Sequence, residues 1–345
     1  MNDKELLGTD LPIIQAPMAG VQGSALAIAV SEAGGLGSLP CGMLSTEKII
    51  SEIELIKAAT CNPYNLNFFC HEPSPYDENR QAMWRKTLQP YFTELGVKID
   101  LTAGSNRVPF SHDIADAIEP FSPEFISFHF GLPDKDLLQR VKSWGTKVVS
   151  SATTVEEAIW LESRGVHGII AQGLEAGGHR GMFLSNQIST QIELASLISQ
   201  VVNRVNIPVI AAGGISDRKD VNACLQMGAS AVQVGTSYLL CTEAETPKMH
   251  RLALKSDKSS HTALTNIFSG KPARGIVNRV MDELGYMSAF APEFPFASIE
   301  MSQLRHRAEK LGMDGFSPLW CGQNTQGCKE ISAKALTLQL AGKSE

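Results

Sequence analysis

A chain of 345 residues that is 43% hydrophobic and 19% charged can bury a sizeable core and is too apolar to stay disordered. Its formal net charge of −6 argues against a nucleic-acid partner, which usually meets a basic face. Its most apolar stretch, residues 25–30, falls far short of the roughly 20 residues a bilayer span needs, so no membrane partner is expected. The opening decapeptide MNDKELLGTD is acidic and lacks an apolar segment, so it reads as neither a signal nor a transit peptide. Seven cysteines, at positions 41, 61, 70, 224, 241, 321 and 328, form no CxxC pair. An odd, unpatterned set points to a reduced, cytoplasmic protein with neither a disulfide framework nor a metal site.

In chain order, eight short apolar runs recur: 12–16 (PIIQA), 35–39 (GLGSL), 65–69 (NLNFF), 125–130 (FISFHF), 147–151 (KVVSS), 168–172 (GIIAQ), 208–212 (PVIAA) and 231–235 (AVQVG). Runs of this kind suit strands buried on both faces. Helical patterns fill the gaps. Residues 24–33 stop at Gly34-Gly35, and 46–59 place Ile49, Ile50, Ile53 and Ile56 at helical spacing. A third helix opens with TTVEE at 153–157 and closes at Gly165, and a fourth is capped by Asp217 and closed by Gly228. Strand–helix alternation repeated eight times predicts a (β/α)₈ TIM barrel over residues 1–240.

Two regions break the rhythm. Residues 71–120 form an insertion after the third strand, in which VKIDLTAG (97–104) could add a short strand. Residues 241–345 are expected to be a mostly helical cap over the barrel mouth that returns to the barrel, with a Pro- and Phe-rich segment at 290–296.

In such a barrel the active site lies at the C-terminal ends of the strands, with phosphate often held after the seventh and eighth. Here those strands are followed by Ala212-Gly213-Gly214-Ile215-Ser216 and by Gly235-Thr236-Ser237. Glycine lets backbone N–H groups approach a phosphate, and the Ser216 and Thr236 hydroxyls can add donors; otherwise these are only tight turns. The sixth strand runs into AQGLEAGGHRGMF (171–183). Gly177 and Gly178 would let the backbone pass a flat ligand, and His179 would project from a flexible loop toward the mouth as a proton acceptor or anion partner. His129 shares a strand face with Ser127, so it is either a satisfied core histidine or a pocket residue. Asn67, Gln15, Gln172 and Gln233 are amides inside apolar strands, suited to a heteroaromatic edge or to internal networks. Met18 packs either on a flat ring or in the core. His71, His112, His167, His250, His261 and His306 lack a partner pattern and are expected at the surface. There is no GxSxG, Walker A or HExxH motif.

These segments together resemble the nitronate monooxygenase family. The likeness rests on PIIQAPMAG (12–20), AVSEAGGLGSL (29–39), NLNFF (65–69), ISFHFGLP (126–133), AQGLEAGGHRG (171–181), PVIAAGGISD (208–217) and GASAVQVGTSYLLCTEA (228–244). FHFGLP with EAGGHRG points to the class I branch. The resemblance implies an FMN-binding TIM barrel that oxidises alkyl nitronates, such as propionate 3-nitronate, with O₂ and without a nicotinamide cofactor, as a monomer or homodimer. It implies a cofactor-binding set of Met18, Asn67, Gln172, Gly177, Gly178, Gly213, Gly214, Gln233, Val234, Gly235 and Thr236. His179 would be the catalytic histidine, with His129 in the same pocket. A protonated His179 would stabilise a nitronate's charge; a neutral one would take the α-proton of a nitroalkane. The alternative is an FMN-dependent NAD(P)H reductase on the same fold, an enoyl-ACP or quinone reductase, which shares the AGGH loop at 176–179.

Overall fold

The computed structural model describes residues 6–104 and 107–344. Its main sheet consists of eight parallel strands: β1 (Ile13–Gln15), β2 (Gly37–Pro40), β3 (Tyr64–Phe69), β4 (Phe125–His129), β5 (Lys147–Ala152), β6 (Gly168–Gln172), β8 (Val209–Ala212) and β9 (Ala231–Val234). They correspond to the eight predicted runs. β9 pairs with β1, and an Ile14–Leu36 bridge joins β1 to β2, which closes the ring into the expected barrel. The second strand starts at Gly37 rather than Gly35, because Gly34 turns at φ +89° and the chain becomes extended only beyond it.

Along the strands, alternate side chains face inward. At one end they are apolar: Leu36, Phe125, Val149, Ile170 and Ile210 pack with Leu6 and Leu7 into a plug. At the other end the inward positions are polar, with Asn67, His129, Ser151, Gln172 and Gln233 around a cavity. Phe128 points outward among Phe68, Phe110 and Val148. The barrel therefore has a packed floor and a polar mouth.

The helices between strands carry the caps that their sequences announce. Thr154 accepts from the Glu157 N–H at the start of Val155–Ser163, and Asp217 accepts from Asp220 N–H at Arg218–Gln226. Each such cap contributes about 1 kcal/mol. The segment 97–104 forms no strand. Its backbone is met by a side chain instead: Gln303 accepts from Asp100 N–H and donates to Asp100 C=O, at 2.8 and 3.0 Å. A glutamine on a helix thus occupies the place a partner strand would need.

The two interruptions pack on each other. Helix Glu78–Glu94 contributes Trp84, Leu88 and Phe92 to a cluster with Met301, Leu304 and Ala308 of helix Ser298–Lys310. The last helix, Ala333–Ala341, buries Leu336 and Leu340 against Leu26 and Val30 on the barrel's first helix. A second sheet is antiparallel, in the order β10 (Thr262–Thr265), β11 (Ala273–Ile276), β7 (Gly178–His179). It joins the loop after β6 to the C-terminal region. Among the described residues no helix is long and apolar enough to cross a membrane.

Candidate active site

A cavity of about 280 Å³ opens at the polar end of the barrel. Its wall includes Met18, Asn67, His129, Gln172, Gly177, Gly178, His179, Gly213, Gly214, Gln233, Val234, Gly235 and Thr236. All of these come from strand ends or from the loops that follow them, which is why segments far apart in sequence converge.

His179 does not lie on a flexible loop. It pairs with Ala273 in β7–β11, and Arg180 N–H donates to Pro272 C=O at 2.8 Å. The Arg180 side chain, 1% exposed, donates to the carbonyls of Gln172 and Gly173, both at 2.7 Å, and to Gln191 Oε1 at 2.9 Å. Gln172 finishes the clamp: its Nε2 donates to His179 C=O at 2.9 Å and its Oε1 accepts from Gly181 N–H at 2.8 Å. The loop is held rigidly in the cavity wall.

His129 is a pocket residue whose two nitrogens are both engaged. Nε2 lies 3.2 Å from His179 C=O, and Nδ1 lies 2.9 Å from Ser151 Oγ. A carbonyl only accepts, so Nε2 carries the proton and Nδ1 accepts from the serine. Burial pushes this imidazole down to about 4, with Arg180 and Lys271 adding to the shift. It is neutral at pH 7 and positions the backbone of His179.

The His179 ring sits among Phe130, Phe294 and Trp320, with centroids at 6.0, 5.7 and 5.6 Å. Its Nε2 meets Ser269 Oγ at 2.8 Å; Nδ1 has no partner among the described residues. Burial, then the charge of Arg107, then His129 and Lys271, hold it well below the usual histidine range. The imidazole is therefore neutral, with one nitrogen free to take a proton. Sequence reading missed Ser269 and Trp320, which no local signal marks; Phe294 lies in the Pro- and Phe-rich segment 290–296 expected in the cap, but its place beside His179 was not read.

The polar wall offers acceptors. Gln233 Oε1 is buried without a partner among the described residues. Asn67 Nδ2 donates to Ser127 C=O and Oγ, at 3.2 and 2.9 Å, which leaves Oδ1 for the cavity. Gln15 belongs to an internal network with Gln22 and Ser38 N–H. Val234 is buried, and its C=O accepts from Ala16 N–H at 2.8 Å, so its contribution to the wall is apolar.

The two glycine turns face each other beneath a C-terminal strap. Gly213 and Gly214 have φ +123° and +69°, and such backbone strongly favours glycine. Asn324 Nδ2 donates to Gly214 C=O at 3.0 Å, and Gly322 N–H donates to Thr236 Oγ1 at 2.9 Å. Ser216 is not available as an anion donor: its hydroxyl donates to Asp220 Oδ2 at 2.8 Å. Gly177 is glycine because of the strap. A Cβ there would lie 2.5 Å from the Cys321 carbonyl carbon and the Gly322 nitrogen.

Two histidines expected at the surface are buried, His71 and His250, each 5% exposed. The insertion and the cap cover them. Burial pushes both down to about 4, as it does His129. Between about pH 6.5 and 4 the unfolded chain protonates these imidazoles while the folded one does not. The unfolded state then binds more protons, so stability falls as pH drops through that window. Urea unfolding at pH 7.5 and pH 5 is expected to show a lower midpoint at pH 5; equal midpoints would contradict neutral, buried imidazoles.

Comparison with known proteins agrees with this architecture. The family model for nitronate monooxygenase matches residues 2–342. A nitronate monooxygenase of Pseudomonas aeruginosa is 38% identical over 96% of this chain and 95% of its own length. One of Paraburkholderia phytofirmans is 37% identical over 97% and 92%. A solved nitroalkane oxidase from Streptomyces ansochromogenes superposes with TM-score 0.88 at 35% identity, covering 99% of this chain and 96% of that one. FabK from Thermotoga maritima superposes at 0.71 with 23% identity over 98% and 94%, a likeness of fold alone. On these matches and this barrel, the chain belongs to the nitronate monooxygenase family, a family of flavin-dependent oxidoreductases.

Proposed function

We propose that this protein oxidises alkyl nitronates, propionate 3-nitronate among them, with FMN and O₂, acting in the cytoplasm as a monomer or homodimer. The observation that supports the reading is a barrel-mouth cavity that brings His179, the cation Arg107 and the orphaned acceptor Gln233 Oε1 together in a chain of this family. The residues fit FMN. Gln233 Oε1 is an orphaned buried acceptor of the kind that a ring N–H satisfies. Asn67 Oδ1 offers a second acceptor, and Gln172 keeps one N–H beyond the one it gives to His179. Met18 would lie against the ring. Backbone N–H groups at Gly213, Gly214, Gly235 and Thr236 would hold the phosphate, with Gly178 and Val234 completing the wall. When bound, FMN supplies the electron acceptor that links substrate to O₂. Seven free thiols support a reducing compartment.

The protein's own part is to position and to move a proton. Gln172, Arg180 and His129 fix the backbone on either side of His179. Phe130, Phe294 and Trp320 exclude water from its ring. Arg107 and Lys271 give the cavity a positive potential that favours anions. Because the imidazole is neutral, the charge of a nitronate is not met by an imidazolium. A neutral imidazole also allows a second substrate class: it can take the α-proton of a neutral nitroalkane, in keeping with the nitroalkane oxidase likeness.

The test is anaerobic mixing of the yellow holoenzyme with propionate 3-nitronate or with NADH. Bleaching by the nitronate alone is the expected result. Rapid bleaching by NADH alone would overturn the reading in favour of a reductase, and a colourless protein that takes up no flavin would overturn both.

A further inference from the structure

We propose that Phe130 is a positioning residue for His179: a left-handed backbone turns its ring in beside the imidazole, where it closes the seam between the insertion and the cap. The inference rests on the reading that His179 takes the α-proton of a nitroalkane. Phe130 directly follows β4 and has φ +69°. Among the described residues, the other non-glycine residue at positive φ is Ser122, which is exposed; Phe130 is 3% exposed. For a bulky side chain this conformation is a genuine outlier. It costs free energy, persists only where the surroundings impose it, and gathers at functional sites.

The strain has a geometric result. Alternation along β4 sends Phe128 outward and His129 inward, so an extended chain would send Phe130 outward with Phe128. Instead its ring centroid lies 4.5 Å from that of the inward His129. It lies 6.0 Å from that of His179, with the two planes at 83°. Hydrogen bonds lock the turn on both sides. Cys70 N–H donates to His129 C=O at 2.8 Å. The fully buried Ser150 hydroxyl donates to Gly131 C=O at 2.7 Å and lies 3.2 Å from Phe128 C=O.

The turn puts the ring where separate segments meet. His71 opens the insertion and Phe294 belongs to the cap; their rings lie 6.3 and 5.5 Å from that of Phe130. Lys271, between β10 and β11, sets its Nζ 4.9 Å from the ring centroid, a cation–π contact that favours the same placement. Without the ring, water would reach the imidazole from this seam and stabilise its protonated form. The groups that face His179 would remain: Arg107 of the insertion, His129 of β4, and Lys271 and Ser269 between β10 and β11. Ring removal therefore acts on the desolvation of the imidazole, not on its charged neighbours.

The test compares Phe130→Ala and Phe130→Gly with wild type in the purified holoenzyme, by kcat/KM for nitroethane at pH 8 and pH 5.5. In both variants the acid limb should rise toward the ordinary histidine pKa of about 6.5, so that the ratio of the two values grows about 10-fold. A loss from packing alone would lower both values and leave the ratio unchanged. Phe130→Leu keeps apolar bulk, so its ratio should grow by less. It carries the same comparison if the smaller variants do not fold, which flavin content and thermal midpoint reveal. Phe130→Gly should also melt above Phe130→Ala, the reverse of the usual order, because glycine is at ease at positive φ. An unchanged ratio in the variants that fold, or an alanine variant at least as stable as the glycine one, makes the proposal wrong while nitronate oxidation stands. If wild type oxidises neither nitroethane nor its nitronate, the functional reading fails. Carbon-13 NMR titration of labelled histidines, with His179→Asn identifying the resonance, then still decides whether removing the ring raises the His179 pKa.

Discussion

Replacing His179 by Asn is expected to lower turnover of a neutral nitroalkane by about 10²–10⁴-fold while leaving the flavin bound. The imidazole is kept neutral by its aromatic surroundings and by the nearby Arg107 charge. Ser269 Oγ donates to Lys271 C=O at 3.3 Å and so accepts from His179 Nε2–H at 2.8 Å, which leaves Nδ1 as the atom that can accept the α-proton. Asn cannot take that proton. A preformed nitronate has already lost it, and its oxidation should fall much less. Oxygen uptake with nitroethane and with ethyl nitronate, alongside the flavin absorbance of the purified variant, separates the two effects. The depressed pKa also sets the pH dependence. A base must be unprotonated to act, so the acid limb of nitroalkane turnover should lie well below pH 6.5. Nitroalkane turnover near the wild-type rate in the variant would remove His179 from proton transfer.

A second large effect is expected from Gly177→Ala. The added methyl would meet backbone, not a flexible side chain: the Cys321 carbonyl carbon and the Gly322 nitrogen at 2.5 Å, and Cys321 Cα at 2.8 Å. Overpacking of this kind costs about 1–3 kcal/mol. It also pushes apart two things that the site needs together, the loop bearing His179 and the strap whose Gly322 N–H binds Thr236. Loss of flavin retention should therefore accompany a fall of several degrees in thermal midpoint. Gly178→Ala is the control. Its φ is +71°, but nothing lies within 4 Å of its Cβ position, so it carries only a backbone penalty of about 1–2 kcal/mol. Equal flavin loss in the two variants would show that the strap contact does not hold the site.

Some of the site was legible and some was not. His179 stood out because a histidine between glycines at a strand end is poorly explained by packing. Gln172 and Asn67 stood out as amides in apolar runs, although part of what they bond turned out to be protein: His179 C=O for one, Ser127 for the other. His129 was open between core and pocket from sequence; both its nitrogens, it emerges, serve the loop and Ser151. The burial of His71 and His250 was unreadable, since what buries them is an insertion and a cap with no strict periodicity.

The one-dimensional pattern was enough to specify the barrel. Eight apolar runs separated by capped amphipathic helices have few ways to bury themselves, and period-two alternation sends Asn67, His129, Gln172 and Gln233 inward whatever the remaining chain does. What only the tertiary structure decided is the chemistry of the mouth. The partner of His179 lies 90 residues away at Ser269, and Phe294, Trp320 and Arg107 arrive from three separate segments. Such contacts carry no local signature, because their geometry depends on how the insertion and the C-terminal region pack on each other. The neutrality of the imidazole follows from that packing: desolvation is a property of the assembled surroundings, not of the residue.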